Sequence, residues 1–456
     1  MVPLWVVLPL LIPAAIAAVV VHCGVSVHDF LKWLRRMRYR HAHRLWEWRH
    51  PLEFRGRPRG NGVRVRALFV GLNYHTQRDM QPSDEKLRIQ GSIEDVQRAR
   101  AFAHNSLHID TCNTNEFAML TDDTFILPVR RTFFAAWRWL TFRAAPCDVL
   151  LSELSSHGKL VCIVRGDTSR NVGSVMPLDA IEDYSPKPKL PHARRSRHGK
   201  AAKKTPKKKE GGDADGDADR RDRHLITEDE IIAHMLLPLY RTGALLVATF
   251  DCCHSGSELQ LAHIYEVRES VVVHSRNRRC ADPRYADLMR NVRAVAISAC
   301  RLDEEAAEVF VGADTNPPDV FDPSPCVDWL DETLAVLVDP RPTPAHDTAH
   351  AHTTEQEDSQ PTPRSEPGSV IRGACTSAMY GDMARCRALD RLPCTTWRHL
   401  MVAIQAELDK SGCVQHVRVS SSQPLALDRP MFDMLRGNSP LLPALGSRSD
   451  KRSRTV

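Results

Sequence analysis

The stretch ATFDCCHSGS, Ala248 to Ser257, closes an apolar run with an acid, two thiols and an imidazole. A second stretch, DVLLSELSSHG, ends in a similar way at His157 and Gly158. A single Cys or His says little, because buried thiols are common and usually inert. A Cys and a His closing two strands of one sheet are the ingredients of nucleophilic catalysis, in which an imidazole takes the proton of a thiol. Side chains of a strand alternate between its faces. If the extended backbone persists past Phe250, Asp251 and Cys253 share one face and Cys252 points to the other. Ser155 and His157 share a face by the same rule. Cys253 is then the candidate nucleophile and Cys252 a packed thiol. Adjacent residues chelate one metal poorly, so Cys252, Cys253 and His254 do not read as a zinc motif. His254, Ser255 and Gly256 are expected to shape the turn that follows.

These residues need a scaffold, and the sequence supplies short apolar runs alternating with amphipathic ones. VRVRALFVGLNY, EFAMLTD, DVLLSEL, KLVCIV, ALLVATF and VRAVAISA read as strands. SIEDVQRARAFAHN, RRTFFAAWRWLTF, TEDEIIAHMLLPL and TTWRHLMVAIQAELDKSG read as helices, the third with a capping-box pair at Thr227 and Glu230 and the last ending at Gly412. The expected fold class is α/β, a mostly parallel sheet covered by helices on both faces. In such sheets, sites lie at the carboxyl ends of the strands, where His157 and Cys253 fall.

The motifs resemble the metacaspases, in the caspase-like clan of cysteine peptidases. DCCHSG after an apolar strand, with SSHG upstream, is similar to that family's catalytic pair. RALFVGLNY, LRIQGSIEDV, LTDD, ITEDEI, AISACRLDEEAAEV, GACTSAMY and VRVSSSQPLALDRPMF are similar to further family segments, in the same order. With its apolar N-terminal run the chain resembles type I and kinetoplastid-type members. The resemblance implies a caspase-like fold and an endopeptidase acting through a thioacyl-enzyme. His157 would be the general base and Cys253 the nucleophile. The backbone N–H groups of Gly158 and Cys253 would form the oxyanion hole. Asp95, Ser155 and Asp251 would line a pocket selecting Arg or Lys before the cut, since paired carboxylates match a guanidinium or ammonium. Read without the resemblance, Asp95 is a surface acid on a helix and Asp251 caps a turn.

Departures from the family pattern open an alternative. Ser156 stands where a Gly precedes the catalytic His, Lys159 replaces a small residue, and Ser92 replaces a Cys. The second reading is therefore a catalytically impaired, membrane-tethered pseudopeptidase that binds or regulates partners. No cofactor is expected to be required. Calcium, which family members bind through several Asp side chains, has a degenerate set here: Asp229 is retained and Glu228 replaces an Asp. Gln260 and Val172 fall at the remaining positions. Calcium is expected to be weak or dispensable. Glu228 and Asp229 also suit the first turn of a capped helix.

The chain has 456 residues, 26% charged and 42% apolar, with a net charge of +6. These are ordinary values for a globular protein. Thirteen scattered cysteines suit free thiols in a reducing compartment better than a disulfide framework. Residues 1–21 carry no charged side chain and are followed by KWLRRMRYRHAHR. This pattern predicts a membrane anchor over residues 1–27, a basic juxtamembrane segment over 28–61, and a single-pass protein with its catalytic domain in the cytosol. A cleaved signal peptide or a core helix are the alternatives. The peptidase domain is drawn at 62–436, with disordered inserts at 187–223 and 316–369 and a disordered tail at 437–456. Eleven Lys and Arg lie between Lys187 and Lys209 without interleaved aromatics, so nucleic acid is an unlikely partner. The expected partners are peptides with Arg or Lys at P1 and the membrane, for a monomeric protein.

Overall fold

The computed structural model describes residues 27–50, 52, 62–74, 89–165, 168–181, 224–257, 259–311, 370–388, 391–436 and 440–441. Its centre is an eight-stranded sheet. Five neighbouring strands run parallel: β2 (Phe117–Thr121), β1 (Val65–Gly71), β3 (Val149–Ser155), β7 (Leu245–Asp251) and β10 (Arg293–Ser298). Beyond β10 the sheet turns antiparallel through β13 (Arg418–Ser421), β8 (His263–Arg268) and β9 (Val271–Arg276). A three-stranded sheet of β4 (Gly158–Arg165), β5 (Thr168–Val175) and β6 (Ile226–Thr227) follows directly from β3. β11 (Glu308–Val311) and β12 (Val370–Gly373) form a separate antiparallel pair.

Alternation along the parallel strands sorts their side chains into two layers. In β7, Leu245 and Val247 join one core, while Leu246, Ala248, Phe250 and the following Cys252 join the other. The first core is covered by α2 (Ser92–Asn105), α6 (Ala374–Ala388) and α7 (Trp397–Lys410). The second is covered by α1 (Val27–Arg49), α3 (Arg130–Thr141) and α5 (Pro283–Asn291). The fold is thus the expected α/β sandwich, mostly parallel and helix-covered on both faces, compatible with a caspase-like fold. The predicted helix over TEDEIIAHMLLPL keeps its capping box but is α-helical only over α4 (Glu228–Ile231). It continues as a π turn, Ile232–Leu236, and a 3₁₀ turn containing Pro238, whose missing N–H cannot extend the ladder.

The expectation of a single-pass membrane protein is corrected. Among the described residues no helix is long and apolar enough to cross a membrane. The N-terminal helix α1 has 23 residues but is studded with Arg, including Arg35, Arg36, Arg38, Arg40 and Arg44. Its second half packs on the domain, with Ala42 and Trp46 buried, Trp46 edge-on to Trp139 of α3, and His50 buried just past the helix end. The uncharged run at 1–21 and the inserts at 187–223 and 316–369 lie outside the described residues. Of the tail drawn from 437, Leu441 is described; it is buried and bridges to Leu425, because its apolar side chain completes the first core. Among the described residues ten cysteines are free, whereas Cys112 is disulfide-bonded, a departure from the expectation of free thiols.

Candidate active site

The register of β3 against β7 pairs Ser155 with Asp251, so both candidate strand ends arrive at the same level. Past this pair the chains stay in contact. The Ser156 N–H donates to the Asp251 carbonyl at 3.2 Å. A Cβ on Gly158 would lie 1.8 Å from the Cys253 carbonyl oxygen and 3.2 Å from its nitrogen. Only glycine allows that approach, and it brings the backbones of Gly158 and Cys253 side by side. Ser156 does not adopt a positive φ, so the absence of Gly there forces no strain. Lys159 is exposed on β4.

The two thiols separate as strand alternation predicts, although β7 ends at Asp251. Cys252 is 1% exposed within the second core, and Cys253 is half-buried. The Cys253 Sγ accepts from the Ala306 N–H at 3.3 Å. Burial pushes this thiol up, the Ala306 backbone bond opposes the shift, and the charges of Glu305 and Asp251 add to it. His254 enters the left-handed region with φ 61, donates its N–H to the Glu304 carbonyl at 3.0 Å and lies 2.7 Å from the Leu302 carbonyl through Nδ1. The turn after Cys253 is therefore braced against the loop that follows β10.

His157 is positioned by a residue that the sequence reading passed over. Its ring stacks on Tyr74 with centroids 5.1 Å apart. Its N–H donates to the Tyr74 hydroxyl at 3.1 Å, and that hydroxyl donates to the Met176 carbonyl at 2.6 Å. Tyr74 is fully buried at the end of the RALFVGLNY segment. Its signal in the sequence was a hydroxyl terminating an apolar run.

Asp95, Ser155 and Asp251 come together on the face covered by α2 and α6. Asp95 is fully buried and Asp251 is 5% exposed. A Cβ on Gly373 would lie 2.5 Å from one Asp251 oxygen and 2.7 Å from one Asp95 oxygen. Neutral donors hold the pair. Asp95 Oδ2 accepts from the Ser155 hydroxyl at 3.2 Å and the Gly373 N–H at 3.0 Å. Asp251 Oδ2 accepts from the Thr376 N–H at 2.8 Å and from the Thr376 hydroxyl. Asp95 Oδ1 is buried and has no hydrogen-bond partner among the described residues. Burial raises Asp95 well above the carboxylate range, with Asp251 and Glu153 adding to the effect; burial likewise raises Asp251. Glu153, two residues before Ser155 on the same face, is a third acid that the sequence reading missed. It accepts from the Tyr380 hydroxyl of α6, and burial pushes it up to about 8. Its visible signal was an acid inside an otherwise buried strand.

The candidate calcium residues form a different cluster. Glu228 is 1% exposed, and its Oε1 lies 2.7 Å from an Arg170 nitrogen and 2.6 Å from an Arg279 nitrogen. Gln260 donates to its Oε2 at 2.7 Å, and Arg170 also pairs with Asp229 at 2.8 Å. Val172 is fully buried against Val161, Ala180 and Leu225. Calcium requires six to eight oxygens and uncompensated negative charge. Here two guanidinium groups already neutralise two carboxylates. These residues do not fit the ion.

The chain matches no protein-family model. It is 26% identical over 210 residues to metacaspase-1 of Mycosarcoma maydis, an overlap of 45% of this chain and 39% of that one. It is 27% identical over 207 residues to metacaspase-1A of Aspergillus oryzae, covering 44% and 37% respectively. The match therefore spans less than two fifths of either curated relative's length. These likenesses support a metacaspase-like family and do not bear on the kinetoplastid-type resemblance. A crystal structure of a Geobacter sulfurreducens protein overlaps 80% of this chain and 96% of its own, at 12% identity and TM-score 0.37, too loose a likeness to bear on function.

Proposed function

We propose that the chain is a caspase-clan cysteine endopeptidase that cuts after Arg or Lys. Cys253 would pass its proton to His157, and the thiolate would attack the scissile carbonyl carbon. The oxyanion would form against the N–H groups of Gly158 and Cys253. Collapse expels the amine, which takes the proton from His157, and leaves a thioester on Cys253. His157 then deprotonates a water that attacks this thioester, releasing the carboxylate product and the thiol. The observation that carries the reading is the buried pair of Asp95 and Asp251, held by neutral donors and with Asp95 Oδ1 unsatisfied among the described residues. A guanidinium or ammonium would satisfy it and compensate both carboxylates. It would also neutralise Asp251, one of the charges that hold the Cys253 thiol protonated.

The test is hydrolysis of Arg- and Lys-ended fluorogenic peptides by the full chain under reducing conditions. Cys253→Ala is expected to lose at least about 10³-fold in rate. Cys252→Ala is expected to keep most of it. Equal loss in both variants would overturn the assignment of the nucleophile. One observation favours a second reading, a catalytically impaired binding protein: the Cys253 sulfur is engaged by the Ala306 N–H and covered by the loop after β10. Wild-type protein that binds Arg peptides without hydrolysing them would support that reading.

A further inference from the structure

On the side of α6 away from the pocket, three side chains of different metal-ligating type converge. Asp382 and Cys386 stand four residues apart on α6, a spacing that puts both on one helix face. His399 comes from the first turn of α7, whose Thr396 N-cap accepts the His399 N–H. The Cys386 sulfur lies 3.8 Å from Asp382 Oδ2 and 3.8 Å from His399 Nε2, and those two atoms are 3.3 Å apart. The same three atoms make all three distances.

Those separations can be compared with what a metal would impose. Tetrahedral zinc with ordinary bond lengths to sulfur, nitrogen and oxygen sets S···N and S···O separations of about 3.5–3.6 Å and an N···O separation of about 3.3 Å. The triad sits within about 0.3 Å of that triangle. Asp382 and Cys386 are 6% and 8% exposed, whereas the His399 side chain is 53% exposed. The triangle is therefore anchored inside and open on one side, which leaves a fourth position for water. Arg385 approaches the other carboxylate oxygen, Oδ1, at 3.6 Å, and Oδ2 remains turned to the triad.

We propose that Asp382, Cys386 and His399 form a binding site for a zinc-class divalent cation. One thiolate, one imidazole and one carboxylate are a borderline-soft set that suits zinc or cobalt and disfavours calcium and magnesium. Binding would release the thiol proton and clamp α6 to α7. The clamp bears on the pocket, because the other end of α6 supplies the Thr376 donors to Asp251. The site is independent of whether the pocket cuts peptides.

Cobalt(II) is the probe, added to the full chain in a Cys253→Ala background, which removes the thiol at the strand end. One equivalent is expected to give a thiolate-to-cobalt charge-transfer band with intense tetrahedral visible bands, both erased by one equivalent of zinc. Cys386→Ser is expected to abolish the charge-transfer band, while Cys394→Ser, at a nearby exposed thiol, retains it. His399→Gln lies at an exposed position and should fold normally, yet lose affinity by roughly a hundredfold. A band that survives Cys386→Ser, affinity unchanged in His399→Gln, or no stoichiometric cobalt uptake by the parent would each reduce the triad to an Asp382–His399 ion pair and overturn the site.

Discussion

Two acid pairs among the described residues, one of them only half-buried at Asp229, are neutralised in opposite ways. Glu228 and Asp229 are closed by cations of the chain itself, Arg170 and Arg279. Asp95 and Asp251 are held by hydroxyls and backbone N–H groups, and among the described residues neither makes an ion pair. A carboxylate stripped of water must be protonated or paired. The first group solves this internally and becomes structure. The second has no cation of the chain paired with it among the described residues, and burial raises both carboxyls toward the protonated form. Residue type alone does not distinguish an acid paired within the chain from one left without a cation; the charge of the nearest donors does.

The largest expected effect comes from breaking the open group. Asp251→Asn should lower kcat/KM for Arg peptides by about 10²–10³-fold, since a site built around a charged partner discriminates strongly. Uncharged P1 peptides should lose much less. Equal loss on both would mean that Asp251 acts on the thiol's surroundings and does not select the substrate. Glu228→Gln is the matching break in the closed group. It would leave two guanidiniums facing a neutral amide and should cost about 2–3 kcal/mol in denaturant unfolding, discounted for the partly exposed Arg partners. The activity of the folded fraction should be unchanged.

A pH series sharpens the contrast. The folded pKa values of Asp95, Asp251 and Glu153 are raised by burial, so their protonated forms favour the fold. For Glu153 that stability is present below about pH 4, the ordinary carboxylate range, and is lost as pH rises through about 8. Melting temperature should fall across this window, and an Arg-containing ligand should restore part of the loss. KM for Arg peptides should fall over the same range as the pocket ionises. A KM that rises with pH would contradict an acidic pocket. The smallest expected effect is that of calcium. Micromolar calcium should not activate the wild type, because Arg170 and Arg279 occupy the carboxylates. Saturable activation abolished by Asp229→Ala would show that the cluster opens.

The parts that follow local periodicity could be read from the sequence. The helix over Ser92–Asn105, the capping box at Thr227 and the Cys252/Cys253 division all rest on spacings of a few residues. The hairpin of β8 and β9 was not legible. Its turn residues Glu269 and Ser270 take positive φ, where a turn signal would normally be Asn-Gly or Asp-Gly. The long-range partners were hidden for a different reason. Arg170, Arg279 and Tyr380 carry no local mark that they meet Glu228 or Glu153, and only the closed sheet brings them there. The membrane expectation read charge and apolarity along the chain, which does not reveal that Trp46 of the basic helix and His50 just after it pack on Trp139.

The alternation along β7 has a further consequence for the accuracy of folding. Slipping this strand by one residue would exchange the environments of Cys252 and Cys253 and would also drive Asp251 into the layer of Phe250 and Ala248. An ionisable group in that layer is costly. A misregistered molecule would therefore be short-lived, since the acid proposed to recognise a basic substrate would also mark the error. In this strand, the register of the fold and the placing of the candidate site depend on the same side chain.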